Sequence, residues 1–426
     1  MPDLPDQPAA RGGDEADAAA VGFVLHLARA LHGYGTSSQR LEDIVSAMAD
    51  RLGLGGAHVF SQPTSIMASF GPLGRQQTHM LRVAPGEVNL ASLAAVERVS
   101  VEVAQGRISP QEGTARIETI AGSPSPYGPL LTTVAFAGIS GATCHLLGGG
   151  PREIGAATLL GLGVRLFALV AGGRPRLGHV FEPLTAFLVS VAAVALAHLA
   201  GPLSVLVATL AGLIILLPGL TLTTALSELA SRHLASGTAR LSGAFITFLG
   251  IAFGVALGNR LGAAAFGELA MFEPTPHPAW WASLGALLLS PLCSVVVLRA
   301  APRDVPWIII ASVLGAGGGQ LGARWLGVEL GAFVGALAVG LASTAYARWR
   351  NRPPAVVLVP GILLLVPGSI GFRSLTSLME RQALAGIETA FSTVLTAIAL
   401  VSGLLMAGVI VPEPRLHADP ERSGRG

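Results

Sequence analysis

Long apolar runs fill this sequence from about residue 127 to about residue 411. The hydrocarbon core of a bilayer is about 30 Å thick, so a helix of about 20 apolar residues is needed to cross it. Ten runs have that approximate length, at 128–147, 152–172, 180–199, 202–220, 238–259, 279–298, 304–322, 329–348, 354–372 and 387–411. The chain is 51% hydrophobic and only 12% charged, which is too apolar for a water-soluble protein. We therefore predict an α-helical membrane protein with ten transmembrane helices.

The second five runs repeat the first five at an offset of 149 residues. The match is clearest over one twenty-residue segment, where the identical pairs are Pro218/Pro367, Gly219/Gly368, Leu226/Leu375, Leu229/Leu378, Arg232/Arg381 and Gly237/Gly386. Two loops also correspond, Pro151-Arg152-Glu153 and Pro302-Arg303-Asp304. Because five is an odd number, two copies in series cross the membrane in opposite directions. This predicts two inverted five-helix repeats, a plan used by many secondary transporters.

The sequence before residue 127 is mixed and charged, and it predicts a small α/β domain, which we call the head. Apolar residues at helical spacing indicate helices at 19–33, 37–52, 90–105 and 110–121, with Thr36 or Ser37 capping the second. Three runs rich in β-formers, at 57–61, 64–70 and 76–83, indicate an antiparallel meander. The expected domains are a disordered tail 1–18, the head 19–126, the repeats 127–260 and 279–411, and a C-terminal tail 412–426.

We expect the head and both termini to lie in the cytoplasm, with the chain crossing the plasma membrane many times. The first twenty residues are rich in Pro, Asp and Ala and lack the basic and then apolar pattern of a signal peptide. The loops expected inside carry nine arginines between residues 174 and 352, and those expected outside carry five. This bias agrees with the rule that cytoplasmic loops are positive.

Several enzyme classes are excluded by what the sequence lacks. All 27 basic residues are arginine, so the chain has no Walker A lysine and no lysine for a Schiff base. The motifs HExxH, CxxC and GxSxG are also absent. We predict a transporter driven by a gradient or by a partner, and no enzyme, and we expect no cofactor, metal or nucleic-acid partner. The alternative is a membrane-tethered enzyme or sensor whose active part is the head.

The duplicated segments supply the candidate binding site, because each begins with a helix breaker, Pro218-Gly219 or Pro367-Gly368. A helix that starts after such a break presents free N–H groups and a positive dipole end, where a carboxylate fits. Hydroxyls that can bind a small polar molecule follow in both copies: Thr221, Thr223, Thr224 and Ser227 in the first, and Ser369, Ser374, Thr376 and Ser377 in the second. In the alternative interpretation, these prolines end two spans at the membrane interface and the hydroxyls are ordinary loop residues.

Charged residues near the spans complete the candidate site. Glu228 follows Gly219 by nine residues, and we predict that it receives a substrate ammonium group or carries a coupling proton; alternatively, it is a solvated loop carboxylate. Arg373 could pair with a carboxylate. Arg165 is the only arginine well inside a span. Alternatively, its side chain extends to the cytoplasmic edge of the membrane. Weaker candidates for a proton relay are Glu182, His145 and His198.

Taken in order along the chain, these residues resemble the threonine/serine exporter family. The resemblance lies in Gly33-Tyr34-Gly35-Thr36-Ser37-Ser38, in Pro63-Thr64-Ser65-Ile66, in the helix from Gly106-Arg107-Ile108-Ser109 to Ile120, in Pro151-Arg152-Glu153 and in the paired Pro-Gly spans. It covers about residues 20–410.

The resemblance implies efflux of L-threonine and L-serine, driven by the proton motive force, through ten spans behind a cytoplasmic head. The partners implied are therefore these amino acids, protons and the lipid bilayer. Split members of the family suggest an alternative, a dicarboxylate exporter in which Arg373 and Arg165 would receive the two charges of a succinate-like substrate. The sequence allows a homo-oligomer and does not require one.

Overall fold

The computed structural model describes residues 11–267, 280–379 and 382–412. The head contains, in order, α1 (Arg11–Gly33), α2 (Ser38–Arg51), β1 (His58–Gln62), β2 (Ser65–Phe70), β3 (Gln77–Arg82), α3 (Leu90–Ala104) and α4 (Pro110–Ala121). These elements lie close to the expected positions, except that α1 begins at Arg11. The prediction of a disordered tail through residue 18 is therefore wrong from residue 11 onward, and residues 1–10 lie outside the described part.

The three strands form one antiparallel sheet in the order β1-β2-β3. The register pairs His58 with Ser69 and Ser65 with Arg82. Along β2 the buried side chains alternate, and Ile66, Ala68 and Phe70 lie in the same core as residues of α1 and α2. This is the pattern of a strand with one face covered by helices.

The first half of the apolar region contains α5 (Pro129–Leu146), α6 (Pro151–Ala171), the short α7 (Pro175–Gly178), α8 (Phe181–Ala200), α9 (Val205–Gly212), α10 (Gly219–Ala230) and α11 (Leu234–Phe266). The second half contains α12 (Trp280–Val297), a 3₁₀ turn (Pro302–Asp304), α13 (Val305–Leu326), α14 (Val328–Arg350), α15 (Ala355–Ile362), α16 (Gly368–Met379) and α17 (Ala383–Ile410). Among the described residues, eight helices are long and apolar enough to cross a membrane. The chain is thus a multi-pass α-helical membrane protein.

Two of the ten expected spans are not continuous helices. The run 202–220 contains α9 and only the start of α10, and the run 354–372 contains α15 and only the start of α16. The expectation of a full-length helix at these two places is therefore wrong. Hydropathy measures the length of an apolar run, but it does not detect where the backbone leaves the helix before a proline.

Glycines bring the long helices into close contact. An added Cβ on Gly258 of α11 would lie 2.6 Å from the Phe187 carbonyl oxygen of α8. In the second half, an added Cβ on Gly335 of α14 would lie 2.6 Å from the Gly315 carbonyl oxygen of α13. Only residues without a side chain allow such approaches, so these glycine faces set the helix packing.

The head lies against one end of the membrane helices. The amides of Leu90 and Ala91 donate to the carbonyls of Leu298 and Arg299 at 3.1 Å. The core of the head also continues into the ends of α12 to α15, where it includes Val295, Leu298, Ala300, Ile308, Tyr346, Val356 and Val357. A second contact joins α2 to the end of α10 and the start of α11.

Candidate functional site

The two Pro-Gly segments meet in the interior of the protein. A Cβ built on Gly219 would lie 3.2 Å from the Gly368 Cα, and one built on Gly368 would lie 3.4 Å from the Gly219 Cα. Both glycines are buried. The N-terminal ends of α10 and α16 therefore touch through their backbones, although 149 residues separate them in sequence. We call this contact the crossing.

The local chemistry of proline explains why both helices begin here. Pro218 and Pro367 carry no N–H to continue a preceding helix. The first helical hydrogen bonds run from Leu222 N to Pro218 O and from Gly371 N to Pro367 O, both at 2.9 Å. The amides of residues 220–221 and 368–370 precede these bonds, so they have no intrahelical acceptor. Two positive helix ends thus meet at the crossing.

The predicted hydroxyls differ in how far they are free to bind a ligand. Thr223 Oγ donates to the Gly219 carbonyl at 3.1 Å, and Ser374 Oγ donates to the Gly386 carbonyl at 2.7 Å. Thr376 likewise donates to the Arg373 carbonyl at 2.9 Å. These three donors are used within the protein. The other predicted hydroxyls are exposed at Thr221 and partly buried at Thr224, Ser227, Ser369 and Ser377.

Arg373 lies five residues after Gly368 on α16 and is partly buried. Its Nε is buried and has no hydrogen-bond partner among the described residues. A buried guanidinium donor without an acceptor is costly unless a ligand or water completes it. Arg373 is also closer to the crossing along its helix than Glu228 is, since five residues separate it from Gly368 and nine separate Glu228 from Gly219.

Glu228 lies at the far end of α10, nine residues after Gly219, which is about 14 Å along a helix. Its side chain is 1% exposed and is paired with Arg240 at 3.1 Å. The Ser38 amide and the Ser236 hydroxyl also donate to it, at 2.9 and 2.7 Å. Glu228 is thus a buried residue of α10 that contacts α2 of the head. The alternative of a solvated loop carboxylate is wrong.

The weaker candidates lie apart from one another. His145 Nε2 contacts Ser283 Oγ at 3.1 Å, and His198 Nδ1 contacts the Val194 carbonyl at 3.0 Å near the end of α8. Glu182 lies in the first turn of α8, at its opposite end. The guanidinium of Arg165 lies 5.6 Å from the centre of the Phe136 ring, and its buried Nε has no partner in the described part of the chain.

Four further hydroxyls in the membrane helices are buried and have no partner within the described residues. They are Ser140 on α5, Thr209 on α9, Ser312 on α13 and Thr396 on α17. Nothing in the sequence singles them out, because a single hydroxyl in an apolar run gives no signal that distinguishes a ligand contact from a packed side chain. Their unpaired oxygens make them candidates for contact with water or substrate.

A cavity of about 390 Å³ lies between α6 and α8. Its lining is apolar, with Leu159, Val164, Phe167, Leu188 and Leu196 among its residues. Thr185 supplies a hydroxyl to the lining, and that hydroxyl already donates to the Phe181 carbonyl at 2.6 Å. The cavity suits hydrocarbon and offers nothing to a zwitterion, so we do not assign it to the candidate site.

Two family models match the chain. The model described as "Putative threonine/serine exporter" matches residues 22–262, and the model described as "Threonine/Serine exporter, ThrE" matches residues 279–410. The first match alone covers more than half of the 426 residues.

Curated relatives agree with these matches. A "Threonine/serine exporter" of Corynebacterium glutamicum is 24% identical over 396 residues, covering 89% of this chain and 78% of that protein. A "Probable threonine/serine exporter" of Mycobacterium tuberculosis is 27% identical over 378 residues, covering 82% of this chain and 66% of that protein. The "Pheromone-regulated membrane protein 10" of Pichia sorbitophila is 26% identical over 384 residues, covering 86% of this chain and 37% of that protein.

The chain spans only 30% to 37% of the length of the first five fungal relatives that it matches. No solved structure shows a significant match.

Proposed function

Because this chain belongs to the threonine/serine exporter family, we propose that it exports L-threonine and L-serine from the cytoplasm across the plasma membrane. The observation that carries this proposal is the match of both family models, which together cover the head and the whole apolar region. The family is one of membrane exporters and not an enzyme class. Two relatives that match over more than four fifths of this chain carry the names of the same substrates.

We propose that the substrate binds at the crossing. Its carboxylate would accept hydrogen bonds from the free amides at the starts of α10 and α16 and from Arg373, whose buried Nε lacks a partner in the described chain. The hydroxyl and ammonium groups would lie among Thr221, Thr224, Ser227, Ser369 and Ser377, whose side chains are at least partly accessible. Backbone amides and hydroxyls suit a small zwitterion because they add no further fixed charge.

We propose further that the ten apolar runs form two inverted repeats. Each half contains a pair of broken helices at the same position of the 149-residue offset: α9 with α10, and α15 with α16. The head contacts the ends of α10, α12 and α14 and the starts of α11, α13 and α15. These six ends belong on one side of the membrane if the two halves run in opposite directions, so the contacts support the inverted arrangement.

The driving force proposed is the proton motive force, and Glu228 stays the predicted carrier of the coupling proton. A proton on this carboxylate would remove the charge that pairs with Arg240 at 3.1 Å. Threonine efflux against a gradient should then fail in Glu228→Gln, while exchange of labelled for unlabelled threonine continues. Loss of both activities, or of neither, would contradict the coupling role.

The site is tested by transport of radiolabelled threonine in proteoliposomes with an imposed pH gradient. We expect Arg373→Gln to raise the KM for threonine, because the substrate carboxylate loses its cation. The matched control is Arg324→Gln, an exposed arginine in the last turn of α13, which should transport as the wild type does. Equal kinetics for the two variants would overturn the assignment of Arg373.

Competition identifies the substrate class in the same assay. Unlabelled serine should reduce threonine transport, and succinate should not. If succinate competes and serine does not, the amino-acid proposal fails and the dicarboxylate alternative takes its place.

A further inference from the structure

The N-terminus of α2 in the head is capped by a residue of the membrane region. Ser37 occupies the N-cap position, but its side chain makes no capping hydrogen bond. Instead, the Ser38 amide donates to Glu228 Oε1 at 2.9 Å. A carboxylate at a helix N-terminus is stabilised by the free amides and the positive dipole end. The sequence predicted a cap from Thr36 or Ser37; Ser37 does occupy the N-cap position, but the hydrogen bond expected from a capping side chain is absent.

Glu228 joins three separate segments. It accepts hydrogen bonds from Ser38 on α2, from Ser236 Oγ on α11 at 2.7 Å, and from Arg240 Nε on α11 at 3.1 Å. Ser236 Oγ also lies 2.7 Å from Ser38 Oγ. Breaking such a buried charged cluster leaves an uncompensated charge, so its members hold one another in place. We call this cluster the Glu228 junction.

The Glu228 junction lies on the same helix as the crossing. The twelve residues of α10 run from Gly219 at the crossing to Ala230, two residues beyond Glu228. A helix of this length transmits a displacement of one end to the other, because its backbone hydrogen bonds resist bending. The equivalent position on α16 is Ser377, which carries no charge. The head thus binds α10 through a carboxylate, and α16 has no carboxylate at the equivalent position.

The two contacts of the head differ in chemistry. Toward α12 to α15 the contact is built on an apolar cluster continuous with the head core, through Leu298, Val356 and Val357, with polar contacts such as the Glu87–Arg299 ion pair beside it. Toward α10 and α11 it is polar, and His233 Nε2 also lies 3.2 Å from Glu42 Oε2 there. An apolar interface that continues a folding core stays closed, whereas a polar interface can exchange its bonds for water.

Three polar atoms of the head lie on residues next to this contact and are unsatisfied in the described part of the chain. His32 Nδ1, Thr36 Oγ1 and Ser61 Oγ are buried and lack partners within the described residues. The charges of Glu228 and Arg240 both act on the imidazole of His32. The Ser61 amide donates a hydrogen bond to Glu42. Unsatisfied buried groups raise the free energy of the docked state relative to a hydrated one. Opening of this contact is therefore less costly than its number of hydrogen bonds suggests.

We propose that the head is anchored on the second repeat and latches α10 of the first repeat through Glu228, and that this latch opens in each transport cycle. The inference rests on the proposed export function. Glu228 is here a positioning residue, since it acts on the crossing through α10. The charged and titratable groups that surround it are Arg240 on α11, His233 in the turn before α11, Glu42 on α2 and His32 on α1.

Reversible cross-linking tests the latch. The variant Ser38→Cys/Ser236→Cys is made with Cys144→Ala and Cys293→Ala, which remove the two native thiols. The two hydroxyl oxygens lie 2.7 Å apart, so the new thiols are within reach of a disulfide. We expect oxidation to reduce threonine transport to background and a reductant to restore it.

The matched control joins the head to the second repeat instead. Glu87 and Arg299 form an ion pair at 2.7 Å on the anchored side. Glu87→Cys/Arg299→Cys, closed by a short reducible linker, should leave transport at its uncross-linked rate. Transport that survives the Ser38/Ser236 disulfide, or that is lost equally in both linked proteins, overturns the latch. Failure of the Ser38/Ser236 pair to form a disulfide would contradict the docked contact itself.

A second readout separates this inference from the export function. Hydrogen exchange of residues 219–230 should be faster in Glu228→Gln than in the wild type and slower in the oxidised disulfide variant than in the reduced one. This measurement needs no substrate. If no form of the protein transports threonine or serine while the exchange changes appear, the export proposal fails, whereas the restraint of α10 by the head through Glu228 stands. Unchanged exchange overturns the latch whatever the substrate is.

Discussion

At the scale of single residues, the identities inside the duplicated segment have packing reasons. A Cβ built on Gly237 would lie 2.7 Å from Leu229 Cγ, and one built on Gly386 would lie 2.6 Å from Leu378 Cγ. These two contacts are equivalent under the offset of 149 residues. Each glycine lets the long helix that follows pack against the leucine of the broken helix before it. The shared register therefore has a packing role in each half in addition to the contact at the crossing.

The crossing itself predicts unequal effects of two equivalent substitutions. A Cβ on Gly219 would overlap Val366 Cγ1 and lie 3.2 Å from the Gly368 Cα, whereas a Cβ on Gly368 meets nothing closer than 3.4 Å. We expect Gly219→Ala to destabilise the protein by about 1–3 kcal/mol through overpacking and Gly368→Ala to have a clearly smaller effect. Thermal unfolding in detergent measures both. Equal losses would show that the backbones do not meet as described.

A buried histidine of the head predicts a pH dependence. Burial lowers the pKa of His32, and its Nε2 lies 3.0 Å from the Pro63 carbonyl. The unfolded chain therefore binds a proton on His32 at a higher pH than the folded protein does. Stability should fall as the pH drops below about 6.5 and level off below the lowered pKa, by about 1.4 kcal/mol for each unit of difference.

Thermal unfolding between pH 5 and pH 8 checks this expectation by comparison of variants. His32→Gln should flatten the acid side of the profile relative to the wild type. His58→Gln, which replaces an exposed histidine on β1, should leave the profile unchanged. An identical acid slope in His32→Gln and the wild type would exclude His32 as its source.

At the scale of elements, two acidic residues hold the starts of the short helices. Glu153, in the first turn of α6, accepts the Ser204 amide just before α9 at 2.9 Å. Asp304 pairs with Arg352 just before α15 at 2.8 Å, and the Tyr346 hydroxyl donates to it at 2.9 Å. This explains why Pro-Arg-Glu and Pro-Arg-Asp occupy matching loops. In each half, an acid at the second span fixes the entry into the broken helix.

Removing the charge of Asp304 should cost more stability than removing the neutral hydroxyl of Tyr346 that donates to it. The Asp304 side chain is 2% exposed and that of Arg352 is 10% exposed, so Asp304→Asn leaves a largely buried guanidinium without its counterion. We expect a loss of about 3–5 kcal/mol. Tyr346→Phe removes one neutral donor and should cost about 0.5–1.5 kcal/mol. The unfolding midpoints of the two variants measure the difference, and a larger loss for Tyr346→Phe would contradict the charge argument.

The sequence predicted the elements unevenly, for a physical reason. Eight of the ten apolar runs correspond to long helices, because hydrophobic length is a local property. The runs 202–220 and 354–372 were predicted as full spans, yet α9 and α15 are eight residues long. The Pro-Gly pairs correctly marked where the next helices begin. How far each preceding helix extends depends on neighbouring helices that satisfy the freed backbone groups.

At the scale of the whole molecule, the proposed inverted repeat predicts opposite accessibility at equivalent positions. Ala200 ends α8 and Trp349 lies near the end of α14, 149 residues later, and both are exposed. We expect Ala200→Cys to react with an impermeant maleimide added to intact cells, and Trp349→Cys to react only after permeabilisation. The background carries Cys144→Ala and Cys293→Ala and should stay unlabelled. Labelling of both positions from outside would exclude the inverted arrangement.

The sequence by itself determined the properties that lie along the chain. Apolar length gave a multi-pass membrane protein, the offset of 149 residues gave a duplication, and the order of motifs gave the family that the comparisons then matched. Each of these is a comparison of residues along the chain and needs no knowledge of which residues meet in space. Glu228 and Arg373 could be selected as candidates because a charge near an apolar span is unusual.

Only the tertiary structure decided which of these residues meet. It brought Gly219 to Gly368 across 149 residues and Ser38 to Glu228 across 190 residues. It also separated Glu228 from the crossing and joined it to the head. Such contacts depend on the packing of all helices at once, because a buried carboxylate takes whichever donors the fold places beside it. No local pattern in the sequence specifies those donors.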